Sequence, residues 1–514
     1  MNYPRKLVGR DKEQTIIRAA LDKALAGRGG ILLIGGEAGI GKTRLVDEVL
    51  SSNGELHLKY ACQELRTPAF APVAAVLRQY LRLTSGDLGA IGALAGYLNL
   101  LIPELGSIPA DAGDQPTLHE AIRAALATLS EERPAAVVID DLHWADNATL
   151  DVILSLSPFL SEMSILLVGI YRSDEIPRGH PVRWLRNQLR RARAAQELTI
   201  GPLDEAGTTA IAEAVLGQTI APSLARTLHK NSDGIPLFVE QLIAALDSDG
   251  RLQPGEQGLK LADDDQLPVP ESIRDAVLLR LDNLPDPARR LVEAAAVAGE
   301  SFSLEQVIEL AGSSQGLEAL LVRRILTETS PGQAAFHHAL TREAVYQEII
   351  WTRRRALHRA LAQRLTDEGA APEVVANHWL AAQETGEARD ALVDAAQHAC
   401  QIHAYRDAAG FGNQALELWP EGQDEESRLA VLDQLGNCAQ LSGMLPEAVR
   451  AWREAAEGRR QLGQTVAYAE TQRRLASSLE LQSTWTQAVT ARSEAAEAFR
   501  QAGEAAEAAI EFLS

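Results

Sequence analysis

The residues with the clearest chemical potential form a glycine-rich loop near the N-terminus. Within it, "GGEAGIGKT" fits the pattern G-x-x-x-x-G-K-[ST], after an apolar run and before a helical pattern. Glycines let backbone N–H groups face phosphates, a lysine reaches the β- and γ-phosphates, and a threonine hydroxyl can ligate Mg²⁺. A phosphate-binding loop is therefore predicted. Its expected binding residues are Gly36, Glu37, Ala38, Gly39, Ile40, Gly41, Lys42, Thr43 and Arg44.

Two adjacent acids in "VVIDDLHWAD" are the expected partners of this loop. Asp140 ends an apolar strand, where a lone carboxylate is costly without a cation, so Thr43 and Asp140 are the predicted Mg²⁺ ligands. Asp141 is then placed to orient or deprotonate an attacking water; the alternative is a helix or turn cap. Asp146 precedes "NATLDVIL", which predicts N-capping.

A basic residue completes the candidate chemistry. The apolar run "ILLVGIYR" ends at Arg172, and a guanidinium at the end of a strand beside the phosphate loop can sense a γ-phosphate. The alternative is a surface salt bridge. The catalytic candidates are thus Asp141 and Arg172, acting on ATP with Mg²⁺, with ADP as the product.

The elements that must position these residues form an alternating pattern. Short apolar strands separated by helical patterns predict a parallel sheet with helices on both faces, an α/β P-loop NTPase core over residues 1–202. The predicted strands are Ile31–Ile34, Leu56–Ala61, 135–140, 164–171 and 197–200.

The strand pattern stops after residue 203. Amphipathic helices predict a helical lid over residues 203–250, and residues 251–370 are mostly helical with a β-like piece near "GQAAFHHAL", which predicts a winged-helix-like subdomain. The polar segment 247–270, rich in Gly, Pro and Asp, predicts a long loop or a hairpin.

The last part of the chain repeats itself. Alanines recur at 40-residue intervals in two registers seven residues apart, which predicts tetratricopeptide-like helical repeats over residues 371–514. The alternative is an alanine-rich bundle with accidental spacing. The recurring residues are Ala408, Ala448 and Ala488, with Ala415, Ala455 and Ala495.

Composition limits the setting. A net charge of −21 over 514 residues disfavours broad nucleic-acid binding, and the arginine clusters at 183–193 and 353–364 are expected to be solvated helix faces or contacts for an acidic partner. The three cysteines show no disulfide or metal spacing. With no signal peptide and no run of about 18 apolar residues, a cytoplasmic protein without a membrane span is expected.

Five strings together resemble a family: "LVGRDKE", "GEAGIGKTRL", "VVIDDLHWAD", "GIYR" and "NSDGIPLFVEQL". They are similar to the AAA-type ATPase module of signal-transduction ATPases with numerous domains (STAND proteins), above all that of large ATP-binding LuxR-type regulators related to MalT-like proteins. Soluble adenylyl cyclases carry a related module. The resemblance spans residues 5–365, and the repeats extend it.

The resemblance implies further nucleotide contacts. Val8, Gly9 and Arg10 match a segment near the adenine and ribose, with a plain N-terminal turn as the alternative. Pro236 matches a lid residue packed near the base, although "SDGIPLF" also fits a helix stop followed by a helix start. His338 matches a histidine that touches the diphosphate, with a structural histidine as the alternative and His337 as a second candidate for the same register.

The implied function is a regulatory switch with weak ATPase activity. Nucleotide state would set the lid position, ATP would promote self-association, and the repeats would sense a protein or small-molecule inducer. No DNA-binding element occurs in this sequence, so DNA binding is expected only of a longer protein. The alternatives are a scaffold with a structural nucleotide and a stand-alone NTPase or kinase.

Overall fold

A parallel sheet organises the first part of the chain. The computed structural model describes residues 7–51, 56–64, 67–83, 88–109, 113–248, 250–262, 278, 281 and 284–513. The strands of the sheet are β1 (Gly30–Gly36), β2 (Leu56–Ala61), β3 (Ala135–Asp140), β4 (Ile165–Arg172) and β5 (Ala195–Thr199). They pair in the order β2-β3-β4-β1-β5, all in parallel, which confirms the predicted α/β core.

Both faces of the sheet are covered, and the three central strands β1, β3 and β4 are buried along nearly their whole length. Within β1, Ile31 and Leu33 enter one core, whereas Leu32 and Ile34 enter the core on the opposite face. Helices α1 and α2 cover the second face, and the later helices cover the first, as parallel strands require. The helices are α1 (Asp11–Leu25), α2 (Lys42–Leu50), α3 (Ala71–Leu83), α4 (Gln115–Glu132), α5 (Asn147–Leu156) and α6 (Pro181–Ala192).

A three-helix unit follows the sheet, with its own apolar core. Its elements are α7 (Glu205–Leu216), α8 (Pro222–Ser232), α9 (Pro236–Ser248), β6 (Leu252–Gly255) and β7 (Gly258–Leu261). Strands β6 and β7 form an antiparallel hairpin, one of the two outcomes predicted for the polar segment. Within that segment, Asp249 and residues 263–270 lie outside the described part of the chain.

A small-sheet unit comes next. Its elements are α10 (Asp286–Ala298), β8 (Ser301–Ser303), α11 (Leu304–Ala311), α12 (Leu317–Val322), β9 (Leu326–Ser330), β10 (Gln333–Phe336) and α13 (Ala339–Glu348). The strands pair antiparallel in the order β8-β10-β9, and β10 is the β-like piece that the sequence predicts. Phe302 and Phe336 meet edge to face at 6.0 Å and join the sheet to the core of this unit.

Paired helices build the rest of the described chain. They are α14 (Trp351–Asp367), α15 (Pro372–Ala381), α16 (Thr385–Gln401), α17 (Tyr405–Glu417), α18 (Glu425–Leu441), α19 (Leu445–Gln461), α20 (Thr465–Leu481), α21 (Trp485–Gln501) and α22 (Ala505–Leu513). From α16 onward, here called the repeat array, alternate helices begin 40 residues apart. The six recurring alanines are all buried, which confirms the repeat prediction. Small side chains there let neighbouring helices approach closely.

The repeat array brings two of the three cysteines together. Cys400 on α16 and Cys438 on α18 lie with their sulfur atoms 2.8 Å apart, both as free thiols. Their spacing in the sequence gave no sign of this pairing, because the whole of α17 separates them along the chain.

No helix among the described residues has both the length and the apolar character needed to span a bilayer.

Candidate functional site

The phosphate-binding loop joins β1 to α2. Gly39 and Gly41 have φ values of 75° and 92°, in the left-handed region where glycine is unstrained. The Lys42 ammonium donates to the carbonyl oxygens of Gly36 and Glu37, at 2.9 and 2.8 Å, so the lysine lies folded along its own loop. Burial lowers the pKa of Lys42. The loop therefore places a partly desolvated cation where the sequence predicts phosphate.

The two predicted metal ligands converge at the edge of the sheet. The Thr43 hydroxyl donates to Asp140 Oδ1 at 3.2 Å, and Asp140 is only 5% exposed. A hydroxyl and a carboxylate are the hard oxygen ligands that Mg²⁺ prefers. Within the described residues there is no cluster of three or more His, Cys, Asp or Glu that would suit another metal. The site fits a Mg²⁺ ion completed by phosphate and water.

Lys59 is a neighbour that sequence reasoning missed. It lies on β2, next to β3, with its ammonium 3.4 Å from Asp140 Oδ2 and 2.9 Å from Asp47 Oδ2. The only signal available was a charged residue inside the strand "LHLKYA". Lys59 therefore offsets part of the negative charge of Asp140.

Asp141 has an unusual backbone. Its φ and ψ of 49° and 45° are left-handed, a conformation rare in non-glycine residues and concentrated at functional sites. Its side chain makes no cap hydrogen bond to the short 3₁₀ helix that follows, and its Oδ1 lies 3.5 Å from Arg172 Nε. Burial and the adjacent Asp140 carboxylate raise the pKa of Asp141 to about 6. The side chain thus faces Arg172 instead of capping the turn.

Arg172 ends β4, directly beside the last residue of β1. In the parallel register Gly36 lies opposite Arg172, so the backbone of Arg172 lies beside the first residue of the phosphate-binding loop. Arg172 is 6% exposed, stacks 4.8 Å over the Trp144 ring and contacts Glu175 at 2.5 Å. The Arg172 guanidinium is therefore buried, whereas its partners Asp141 and Glu175 are partly exposed, so the contact is not the surface salt bridge considered from the sequence.

A buried histidine extends this network. His143 Nε2 lies 3.1 Å from Glu175 Oε2. Although burial alone would raise the pKa of Glu175, His143 and Arg172 together lower it to about 2. Sequence reasoning did not connect these residues, because His143 and Glu175 lie on loops after different strands.

One cleft of about 1080 Å³ brings most of these groups together with residues of the later units. Ala38, Gly39 and the residues from Gly41 to Arg44, with Asp140, Asp141 and Arg172, form one wall. Pro236 and Glu240 of α9 form a second wall. Glu300 and the segment 336–340, which contains His337 and His338, form a third. The structure therefore places Pro236 and His338 beside the loop.

Glu240 is a further acid of the cleft that the sequence did not single out. It is 7% exposed, and burial raises its pKa to about 7, although Arg44 lies 3.5 Å away. Because Glu240 lies on α9 and Arg44 lies on α2, their ion pair connects the helix after the loop to the three-helix unit.

Six predicted residues do not line the cleft. Gly36, Glu37 and Ile40 belong to the loop itself, and Val8, Gly9 and Arg10 lie in the segment before α1. The Arg10 guanidinium donates to the carbonyl oxygens of Gly201 at 2.7 Å and Ile40 at 3.4 Å, which ties the loop to the exit of β5. Val8 packs against the core of the three-helix unit. In this arrangement the segment braces the loop from outside the cleft.

One family model matches the part of the chain that holds the phosphate-binding loop. The family model described as "AAA ATPase domain" matches residues 6–168. An uncharacterized protein of Rhizobium meliloti (strain 1021) is 25% identical over 469 residues, covering 82% of this chain, and the chain spans 43% of that relative's length.

Two solved structures are similar in outline. A STAND protein with a tetratricopeptide repeat sensor from Pyrococcus horikoshii aligns with 99% of this chain and 86% of its own, at 15% identity and a TM-score of 0.42. A Walker-type ATPase of Pyrococcus abyssi aligns with 67% of this chain and 97% of its own, at 13% identity and a TM-score of 0.34. Residues 6–168, which match the AAA ATPase domain model and are here called the ATPase domain, hold the loop, Asp140 and Asp141, and the match implies nucleotide binding.

Proposed function

We propose that this chain is an ATP-binding, slowly hydrolysing signal-transduction switch. The observation that carries the proposal is the shared cleft, in which the phosphate-binding loop faces residues of the three-helix unit and of the small-sheet unit. A nucleotide held there would contact all three parts of the chain. Its γ-phosphate would then bias their relative position, as a ligand does when it binds one arrangement better than another.

Each residue has a role in this proposal. Lys42 binds the β- and γ-phosphates, and Thr43 and Asp140 hold Mg²⁺, which neutralises phosphate charge. Asp141 orients or deprotonates the attacking water, and Arg172 stabilises the charge that develops on the γ-phosphate. The support for the last two roles is their position at the carboxyl ends of neighbouring strands, beside the loop.

The remaining nucleotide contacts follow the family resemblance. Pro236 would pack near the base and His338 near the diphosphate, and both line the cleft. Val8, Gly9 and Arg10 would lie near the adenine and ribose. Arg10 supports this indirectly, because its bond to the Ile40 carbonyl holds it against the loop.

The finer proposal concerns the signal. The repeat array would sense a protein or small-molecule inducer, ATP would promote self-association, and the chain would be the ATPase and sensor part of a cytoplasmic LuxR-type transcriptional regulator. Its support is the resemblance of the five sequence strings together with the repeat register. DNA binding would belong to a longer form of the protein.

Size-exclusion chromatography and an ATPase assay on the same samples test the switch. With inducer-containing extract present, Mg-ATP, Mg-ADP and no nucleotide should give different elution positions, and hydrolysis should be slow. Lys42→Ala should lose binding and hydrolysis, whereas Lys12→Ala, at an exposed position of α1, should keep both. One elution position with tightly bound, unhydrolysed nucleotide would favour a scaffold. Phosphate transfer to an added small molecule would favour a kinase.

A further inference from the structure

A carboxylate of the repeat array lies on the N-terminus of a helix in the ATPase domain. Asp407, in the first turn of α17, accepts hydrogen bonds from the backbone N–H of Asn147 at 3.1 Å and of Ala148 at 2.9 Å. It also accepts one from the Asn147 side-chain amide at 2.8 Å. Both backbone donors belong to the first turn of α5, more than 250 residues earlier in the chain.

These bonds complete the cap of α5. The first four N–H groups of a helix have no partner inside it. The Asp146 side chain accepts from Thr149 N at 2.7 Å, and its carbonyl oxygen accepts the first bond of the helix itself, from Leu150 N at 3.3 Å. This confirms the N-cap predicted for Asp146. The N–H groups of Asn147 and Ala148 depend on Asp407, so α5 is capped jointly by its own domain and by the repeat array.

Further contacts surround this shared cap. Arg406 pairs with Asp151 on α5 at 3.3 Å and stacks 4.9 Å over the ring of Trp184 on α6. Gln115, the first residue of α4, donates to the His403 carbonyl oxygen at 3.1 Å. Three helices that pack on the parallel sheet, α4, α5 and α6, therefore meet one short stretch of the repeat array, residues 403–407.

The helix held in this way follows the candidate catalytic acid directly. Only the 3₁₀ turn Leu142–Trp144 and Ala145 separate Asp141 from the Asp146 cap. Asp141 is left-handed, a conformation that persists only where the surrounding structure enforces it. A shift of α5 would therefore reach Asp141 through a few covalently linked residues.

We propose that Asp407 is a positioning residue for hydrolysis: by capping α5 it holds the segment 141–146, so that Asp141 is aligned only while the repeat array is docked. An inducer that draws the repeat array away would then slow hydrolysis and prolong the ATP-bound state. This inference deepens the proposed function and rests on it, because it assumes that Asp141 acts on ATP.

Two variants test it, Asp407→Asn and Asp407→Ala. Asparagine keeps one acceptor oxygen but presents an amide to Ala148 N, and alanine removes all three bonds. We expect kcat for ATP to fall on the order of 10-fold to 100-fold, since a small misplacement of a catalytic group has effects of that size. The dissociation constant for ATP should change less than about threefold, because Asp407 does not line the cleft. Hydrogen exchange at Asn147 and Ala148 should accelerate by about tenfold or more, as their bonds to a charged acceptor are lost.

Asn413→Ala is the matched control. Asn413 lies on the same helix, but its amide donates to Glu447 of the next repeat at 2.9 Å. It should keep the wild-type kcat and the wild-type exchange at α5. The inference is overturned if kcat is unchanged or rises in both Asp407 variants, or if the dissociation constant for ATP rises as much as kcat falls.

The exchange measurement separates the two proposals, because it needs no nucleotide. A wild-type chain that binds ATP without hydrolysing it contradicts both the ATPase role and the positioning role, yet faster exchange in the Asp407 variants would still show the docking. If the wild-type chain hydrolyses ATP but exchange at Asn147 and Ala148 is the same in the Asp407 variants as in the wild type, only the docking of Asp407 on α5 is contradicted.

Discussion

At the scale of single residues, Asp141 joins an unfavourable backbone to a charged contact. Its left-handed conformation costs on the order of 1–3 kcal/mol, which the rest of the fold must offset. In return, its carboxylate lies 3.5 Å from Arg172 on the neighbouring strand, in a buried position beside the loop. A residue that served only to start the following turn would not need this side-chain direction.

Asp141→Asn tests this residue with little disturbance of the backbone, because asparagine also tolerates the left-handed region. We expect ATP binding to persist, while hydrolysis falls on the order of 100-fold or more, the usual contribution of a general base. Calorimetry and a single-turnover ATPase assay measure the two quantities separately.

The control for that experiment is Asp22→Asn, at an exposed position of α1. It removes one negative charge from the same domain without touching the cleft and should leave both quantities unchanged. If Asp141→Asn turns over ATP at the wild-type rate, its carboxylate serves only the ion pair with Arg172.

At the scale of elements, the sequence and the structure agree where the signal is local. The strands of the sheet, the loop between β1 and α2, and the cap at Asp146 follow from periodicity and from short motifs. The contacts of Lys59, Glu240 and Asp407 could not be predicted in this way. Each depends on which elements become neighbours in space, and one sequence gives no direct measure of that.

The thiol pair shows the same limit and leads to a prediction. Thiol–disulfide exchange with oxidised glutathione should join Cys400 to Cys438: one thiolate attacks the glutathione disulfide, and the second cysteine displaces glutathione from the mixed disulfide. Two glutathione thiols are released and two protein thiols are consumed. The measured free thiols of the unfolded protein should fall from three to one.

The disulfide should also raise the melting temperature, because it closes a loop of about 40 residues and contributes at most about 4 kcal/mol of stability. In Cys400→Ser no bond within the protein can form at this place, so the only loss of a thiol expected there is a mixed disulfide between Cys438 and glutathione. Cys62→Ser is the control, since Cys62 is fully buried in the core of the ATPase domain. Peptide mapping that finds no bond between Cys400 and Cys438 would contradict the prediction.

At the scale of the whole molecule, the ATPase domain and the repeat array share one apolar core. The cluster that covers the first face of the sheet continues through Tyr405 and Ala408 of α17 to Trp452 of α19. The cleft lies at the edge of the same sheet and receives walls from two further units. Changes in the cleft and changes in the repeat array therefore act on the same sheet from different sides.

This arrangement predicts that one nucleotide protects distant parts of the chain together. Hydrogen exchange with and without Mg-ATP should slow in three segments at once, residues 36–44, 236–240 and 336–340, because a ligand that binds across the cleft stabilises every wall that it contacts. Lys42→Ala should lose all three effects together, whereas Lys12→Ala should keep them. Protection confined to residues 36–44 would mean that the nucleotide does not bridge the units, and the switch would then need another connection between loop and lid.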